Sequence, residues 1–150
     1  MNWVGLFLIH PPTEYLYILD CVDHFSKFLN SFLLKNKTMA LVISKIKLFI
    51  INNGLCKIIQ SDIGKEFDNS EMIIFCENNI IKYVKSSPYH QETNSSVEII
   101  HRYECEFLEK KLKSLKEDFD LEIALDEFVY FHNNKKPSIT KYTPVELRHI

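Results

Sequence analysis

The chain has 150 residues, a length that suits one domain with a real hydrophobic core. Hydrophobic residues make up 46% of the chain and charged residues 25%, which excludes a disordered protein. The formal net charge is −2; the first 60 residues are mildly basic and the remainder is acidic. Since an autonomous nucleic-acid-binding domain is usually more basic, the charge alone argues against strong DNA binding.

Four cysteines are widely spaced, and they form neither a C-x-x-C pair nor a zinc-finger pattern with histidine. We therefore expect buried, reduced thiols at Cys21, Cys56, Cys76 and Cys105. The apolar N-terminal stretch lacks the basic segment and cleavage site of a secretory signal, and it is too short to span a bilayer. These features predict an intracellular protein of the nucleus or cytoplasm, without a membrane partner.

Three strands are predicted in the first part of the chain, at Met1 to Ile9, Tyr15 to Val22 and Phe28 to Leu34. Pro11-Pro12 separates the first strand from the second. The second run is almost continuously apolar, as is typical of a central strand. A short turn joins it to the third, which predicts an antiparallel pair.

The middle of the chain alternates between helical and strand patterns. Thr38 is a good N-cap for a helix whose apolar residues recur at helical spacing until Gly54, a typical C-terminal stop. A fourth strand is predicted from Cys56 to Ile59 and a fifth from Ile80 to Val84. Between them, Ser70 is predicted to cap a short helix with Met72, Ile73 and Phe75 on or near its buried face.

The C-terminal part is predicted to be helical. A polar, irregular segment from Ser86 to Ser96 leads into a long helix that begins near Val97, and a second helix follows from about Leu121 to Phe131. Thr143 and Pro144 suit the start of a last short helix. The element order predicts an α/β fold, with a five-stranded mixed sheet flanked by helices.

Several sequence blocks, in order along the chain, resemble the catalytic core of retroviral and retrotransposon integrases, in particular gypsy-like or transposon-derived integrases. They are Y-I-L-D-C-V-D-H-F-S-K-F (17–28), L-K-N-K-T-M-A (34–40), Q-S-D-I-G-K-E-F (60–67), P-Y-H-Q-E-T-N-S-S-V-E (88–98) and the closing Y-F-H-N-N-K-K-P-S-I-T-K-Y-T-P-V-E-L (130–147). Each block alone is a weak signal. Their order and the family's characteristic spacing together make the resemblance specific.

The resemblance implies a ribonuclease H-like fold in which three carboxylates, the DDE motif, hold two Mg²⁺ or Mn²⁺ ions for DNA 3′-end processing and strand transfer. Asp62 matches the second carboxylate and Glu98 the third, with 35 residues between them. Asp62 is expected at the end of the fourth strand, and Glu98 on the first turn of the long helix. The position of the first carboxylate is Asn2, and the first strand is expected to be truncated at its start.

An amide offers a metal one carbonyl oxygen but no negative charge, so we expect weakened metal binding and impaired catalysis. Further departures point the same way: Ile63 follows Asp62 where the family has Asn, and Ser95 replaces a loop glycine. Asp20 and Asp23 were each considered as a substitute first ligand. Asp23 belongs to a block whose aspartate is not a ligand in the family, which leaves rescue improbable.

Five residues match family positions that face DNA: Tyr89, His90, Thr93, Asn94 and Arg102. The resemblance also implies a homodimer formed through the core, with DNA as partner and no small-molecule substrate. Residues 1–150 correspond to the core domain alone, without the family's N-terminal zinc-binding domain or C-terminal tail. Whether the chain is an enzyme stays open: the alternative is a non-enzymatic DNA- or protein-binding module, or a decayed relic, that retains the fold.

Overall fold

The computed structural model describes residues 2–8, 17–61, 70–85, 91–138 and 140–149; for residues 2–8 and 91–96 it describes the backbone alone. Five strands lie in these ranges: β1 (Asn2–Leu8), β2 (Tyr17–Asp23), β3 (Leu29–Leu34), β4 (Ile58–Ser61) and β5 (Lys82–Lys85). They form one sheet in the order β3-β2-β1-β4-β5.

Strand β1 lies at the centre of the sheet and has neighbours of both kinds. It pairs antiparallel with β2, from Asn2 opposite Asp23 to Leu8 opposite Tyr17, and parallel with β4. β3 extends the antiparallel side and β5 the parallel side. The helices are α1 (Met39–Asn53), α2 (Ser70–Asn78), α3 (Gln91–Leu115), α4 (Leu121–Asn134) and α5 (Pro144–Arg148), with a 3₁₀ turn at Lys116–Asp118. The predicted mixed α/β fold is confirmed.

Strand β2 separates two cores because successive side chains of a strand point to opposite faces. Leu19 and Cys21 pack with α1 and α2, whereas Ile18 and Val22 pack with α3 and α4. Within this alternation, Asp20 faces the α3 side and is completely buried. A charged residue in a central strand requires partners, which α3 supplies.

Helix α1 confirms the predicted amphipathic pattern, and its buried residues are Met39, Val42, Ile43, Ile46 and Phe49. It ends at Gly54, whose φ of 89° lies in the region that favours glycine. Thr38 holds the N-cap backbone conformation, but its hydroxyl donates to Asn36 Oδ1 instead of capping the helix.

Several predicted boundaries differ from the structure; β4, for example, begins at Ile58 instead of Cys56. Helix α3 begins at Gln91, six residues before the predicted start near Val97, so part of the segment predicted as irregular is helical. β5 begins at Lys82 instead of Ile80, because Ile80 ends helix α2 with a φ of 57°. At 91–96, propagation of helix α3 outweighs the local polarity that predicted an irregular segment. At Ile80, termination of helix α2 outweighs the β-branched side chain that predicted a strand.

The four cysteines are free thiols, as expected; Cys21 and Cys76 are buried, and Cys56 and Cys105 half-buried. Burial raises the pKa of Cys76 to about 11 and that of Cys21 well above its usual value, so both stay protonated. Among the described residues, every helix is too short or too polar to cross a membrane.

Candidate functional site

The predicted first carboxylate position lies in β1, beside the strand that ends just before the predicted second one. Asn2 opens the central strand β1, opposite Ile59 of the parallel strand β4. β4 ends at Ser61, the residue before Asp62. Asp62 itself, with Ile63, lies outside the described residues, and only the backbone of Asn2 is described.

Glu98 lies on α3, which packs against β1 and β2. Its side chain is exposed and can reach a ligand without burying charge. The prediction that Glu98 occupies the first turn is wrong. Since α3 begins at Gln91, Glu98 lies two turns into the helix, where the dipole of the N-terminus has decayed. Convergence of Asn2, Asp62 and Glu98 stays a prediction.

The predicted DNA contacts divide in the same way. Tyr89 and His90 lie outside the described residues, while Thr93 and Asn94 lie in the first turn of α3, where the backbone alone is described. Arg102 is exposed, one turn after Glu98, and its guanidinium carbon lies 5.5 Å from the ring centroid of Tyr103. Arg102 is therefore available at the surface for a phosphate or a base.

Asp23, considered as a substitute ligand, holds a turn. Its Oδ2 accepts hydrogen bonds from the backbone N–H of Ser26 at 2.8 Å and from the Ser26 hydroxyl at 2.6 Å. This ties the carboxylate to the turn between β2 and β3. The geometry gives Asp23 a structural role.

Sequence reasoning missed a buried cluster on the α3 side of the sheet, formed by Asp20 of β2 with His101 and Glu104 of α3. One ligand-type atom from each residue lies within 4.8 Å of the other two. His101 Nδ1 is 3.3 Å from Asp20 Oδ2 and 3.2 Å from Glu104 Oε2. Asp20 and Glu104 are fully buried, and the His101 side chain is 14% exposed.

Neighbouring residues support this cluster from outside. The Ser31 hydroxyl lies 2.6 Å from Asp20 Oδ1 and 2.9 Å from Glu104 Oε1. Cys105 Sγ lies 3.3 Å from His101 Nε2. Asp20 Oδ2 is close enough to His101 for an ion pair, yet it is buried without a hydrogen bond.

Electrostatics determines how the metal-free cluster is protonated. Burial opposes the charge on His101, but the adjacent Asp20 carboxylate, Cys105 and Glu104 together outweigh it and raise the imidazole pKa to about 11. Burial and the adjacent Asp20 raise the pKa of Glu104 to about 8. Near neutral pH, an imidazolium therefore faces Asp20 while Glu104 keeps its proton.

Two signals in the sequence point to this cluster. Asp20 interrupts an otherwise apolar strand, and a buried strand charge demands a partner. His101 and Glu104 stand three residues apart, which places them on one face of a helix. Neither signal names the other element, so only the fold connects them.

Comparison with known proteins places the chain. No protein-family model matches it. It is 31% identical over 135 residues to the retrovirus-related Pol polyprotein from transposon 412 of Drosophila melanogaster; the match spans 89% of this chain and 11% of that protein.

Solved structures match over nearly the whole chain. An HTLV-2 integrase catalytic core domain in complex with magnesium, in its dimeric form, superposes with a TM-score of 0.80 at 21% identity, covering 99% of this chain and 94% of that one. The chain therefore has the fold of a retroviral integrase catalytic core, and its sequence is similar to part of a retrotransposon Pol polyprotein. A simian T-cell lymphotropic virus intasome in complex with PP2A regulatory subunit B56 gamma gives a TM-score of 0.82 at 20% identity, and there the integrase-like core covers 54% of the matched chain.

Proposed function

We propose that this integrase-like core derives from a transposable element whose ancestral activity was metal-dependent 3′-end processing and strand transfer of DNA, and that Asn2 impairs this activity. The observation that carries the proposal is the pairing of β1 with β4 beneath α3. It sets Asn2 in the strand next to the one that precedes Asp62, on the sheet against which the Glu98 helix packs. A ribonuclease H-like site needs carboxylates on these elements.

In this proposal Asp62 and Glu98 hold Mg²⁺ or Mn²⁺. Both residues are oxygen donors suited to a hard cation, and the exposure of Glu98 leaves it free to bind. The metal, when bound, would polarise the scissile phosphate and stabilise the leaving oxygen. Asn2 contributes no charge, so only two carboxylates neutralise the metal ions, where the family uses three.

The surroundings of these two carboxylates fit a DNA substrate. Arg102 presents a cation one turn from Glu98, and Tyr89, His90, Thr93 and Asn94 precede Glu98 in the family's DNA-facing block. A homodimer formed through the core, acting on DNA in the nucleus or cytoplasm, completes the proposal. The magnesium complex of the HTLV-2 core, in its dimeric form, supports these assignments by analogy.

A second candidate is a DNA- or protein-binding module without catalysis, or a relic that still folds. The departures at Asn2, Ile63 and Ser95 favour it, because each removes a feature that the family's reaction uses. The net charge of −2 favours protein over DNA as the partner of such a module.

Restoring the missing carboxylate tests the first proposal. We expect Asn2→Asp to raise the melting temperature in Mn²⁺ and to restore cleavage of a double-stranded oligonucleotide, because a third charge strengthens the metal site. The measurements are thermal melting during a Mn²⁺ titration and gel analysis of the DNA. Asn78→Asp, at the exposed end of α2, adds the same charge elsewhere and should change neither readout.

The double variant Asn2→Asp with Glu98→Gln should lose both gains. If Asn2→Asp gains neither metal stabilisation nor cleavage, the proposal that the site lacks only one ligand is wrong, and the binding module is the remaining proposal. If the unaltered chain already cleaves DNA in Mn²⁺, impairment is wrong. DNA affinity that falls steeply with salt in the absence of cleavage would identify a binding module.

A further inference from the structure

We propose that Asp20, His101 and Glu104 form a second metal site, separate from Asp62 and Glu98, that binds one Zn²⁺ ion inside the fold. The site would join β2 to α3 and stabilise the domain. It takes one imidazole nitrogen and two carboxylate oxygens, a mixed set that suits Zn²⁺.

The separations of His101 Nδ1 from the two carboxylate oxygens suit a single tetrahedral ion. Tetrahedral Zn²⁺ binds nitrogen and oxygen at about 2.0 to 2.1 Å, so two ligand atoms of one ion lie roughly 3.3 Å apart. His101 Nδ1 lies 3.3 Å from Asp20 Oδ2 and 3.2 Å from Glu104 Oε2. Without metal, the His101–Glu104 contact is a hydrogen bond and the His101–Asp20 contact an ion pair. Both separations also match the edge of a metal tetrahedron, so one ion could bridge the same atoms.

The unsatisfied oxygen is a second, independent observation. Asp20 is fully buried, and its Oδ2 has no hydrogen bond although it points at His101 and the cluster. Its contact with His101 Nδ1 at 3.3 Å is an ion pair without a hydrogen bond, so this buried oxygen keeps lone pairs that a cation could take. A cation bound by this oxygen, His101 Nδ1 and Glu104 Oε2 would satisfy it.

The outer contacts fit the same assignment. The Ser31 hydroxyl contacts Oδ1 of Asp20 and Oε1 of Glu104, leaving the other oxygen of each carboxylate for the ion. Cys105 Sγ contacts His101 Nε2, which leaves Nδ1 for the ion. Outer partners of this kind orient the ligands of zinc sites.

Charge also balances in the proposed complex. Binding one divalent cation would release two protons to solvent, one from the His101 imidazolium and one from the Glu104 carboxyl group. The resulting complex of the ion, a neutral imidazole and two carboxylates is neutral overall, which suits a buried site. The partial exposure of His101 gives the ion a way in, and leaves the fourth coordination position for water.

Metal uptake by the full 150-residue chain tests the proposal. Chelator-treated protein is dialysed against Zn²⁺, and bound zinc is counted by elemental analysis, with Co²⁺ as the spectroscopic probe in parallel. We expect one Zn²⁺ per chain, a tetrahedral Co²⁺ visible spectrum and a rise in melting temperature. Glu104→Gln and His101→Asn should each weaken Zn²⁺ binding by about 100-fold or more, since even outer partners of metal ligands are worth about 10- to 100-fold.

Glu104→Gln is the sharpest variant because an amide has the shape of the protonated carboxyl and should leave the metal-free fold intact. Its metal-free melting temperature shows whether it folds, and His101→Asn provides a second variant at a partly exposed position. Glu98→Gln should keep Zn²⁺ binding in full, which separates this site from the proposed catalytic one. A thiolate charge-transfer band with Co²⁺ that disappears in Cys105→Ser would overturn the ligand set.

The proposal is wrong if wild-type protein binds no more Zn²⁺ than Glu104→Gln, because the cluster then holds protons only. It is also wrong if Glu98→Gln loses the ion while Glu104→Gln keeps it. Neither result bears on Asn2→Asp, so the catalytic proposal succeeds or fails separately.

Discussion

At the scale of single residues, Asn133 fastens helix α4 to the outer edge of the sheet. Its Oδ1 accepts the backbone N–H of Leu29 at 2.8 Å, and its Nδ2 donates to the Leu29 carbonyl at 2.9 Å. β3 is an edge strand, so these backbone groups have no strand partner on that side. One buried side chain satisfies both.

Asn133→Ala should therefore lower the free energy of unfolding by about 2 to 4 kcal/mol, because it leaves the buried N–H and C=O groups of Leu29 without hydrogen-bond partners. Asn134→Ala is the matched control: this exposed neighbour donates only to the Tyr130 carbonyl within its own helix. Chemical denaturation of both variants measures the difference. Equal losses of stability in the two variants would show that Asn133 does not hold α4 to the edge strand.

At the scale of elements, the end of α2 is strained. The N–H of Ile81 bonds the Cys76 carbonyl at 2.8 Å, and that of Ile80 bonds the Glu77 carbonyl at 3.2 Å. This is the Schellman pattern, with Ile80 at the left-handed position that glycine usually fills. A β-branched residue is unfavourable at its φ of 57°, and Ile80 is 93% exposed, so packing gains nothing in return.

Ile80→Gly should stabilise the protein by about 1 kcal/mol, since the left-handed conformation costs an L-residue roughly 1 to 2 kcal/mol and glycine gives part of this back as unfolded-state entropy. Ile74→Gly, at an exposed position inside the same helix, makes the same chemical change and should destabilise. Melting temperatures should move in opposite directions. A loss of stability in both variants would contradict strain at Ile80.

At the scale of the whole molecule, one sheet carries two cores. Ile46 of α1 packs on one face and Leu125 of α4 on the other, and both are buried. Because β2 and β3 supply side chains to both layers, neither core can open without exposing strands that support the other.

Ile46→Ala and Leu125→Ala should each cost about 2 to 5 kcal/mol and shift the same single unfolding transition. Their combined effect should be additive within about 0.5 kcal/mol, because the sheet keeps the sites apart. Ile51→Ala, at a residue 75% exposed, should have little effect. Two resolved transitions in calorimetry would show that the layers unfold independently.

The sequence predicted the fold correctly where the local residue pattern favours the same structure as the tertiary packing. The apolar spacing of α1, the run of β2 and the order of elements all survive in the structure. Local reasoning failed at Gln91 and Ile80, where neighbouring helix turns decide the conformation. It also missed the cluster around Asp20, because neither β2 nor α3 alone indicates the 3.3 Å contact between Asp20 and His101 that joins them.

The central position of β1 imposes an order on strand pairing while the chain is being synthesised. β1 can pair with β2 once both are synthesised, but its other edge is completed only by β4, whose first residue is Ile58. Until then a nascent chain presents an open, apolar strand edge of the kind that recruits other chains. Fragments that stop before residue 58 should therefore aggregate or engage chaperones, while chains extended through Ser61 can close the edge themselves.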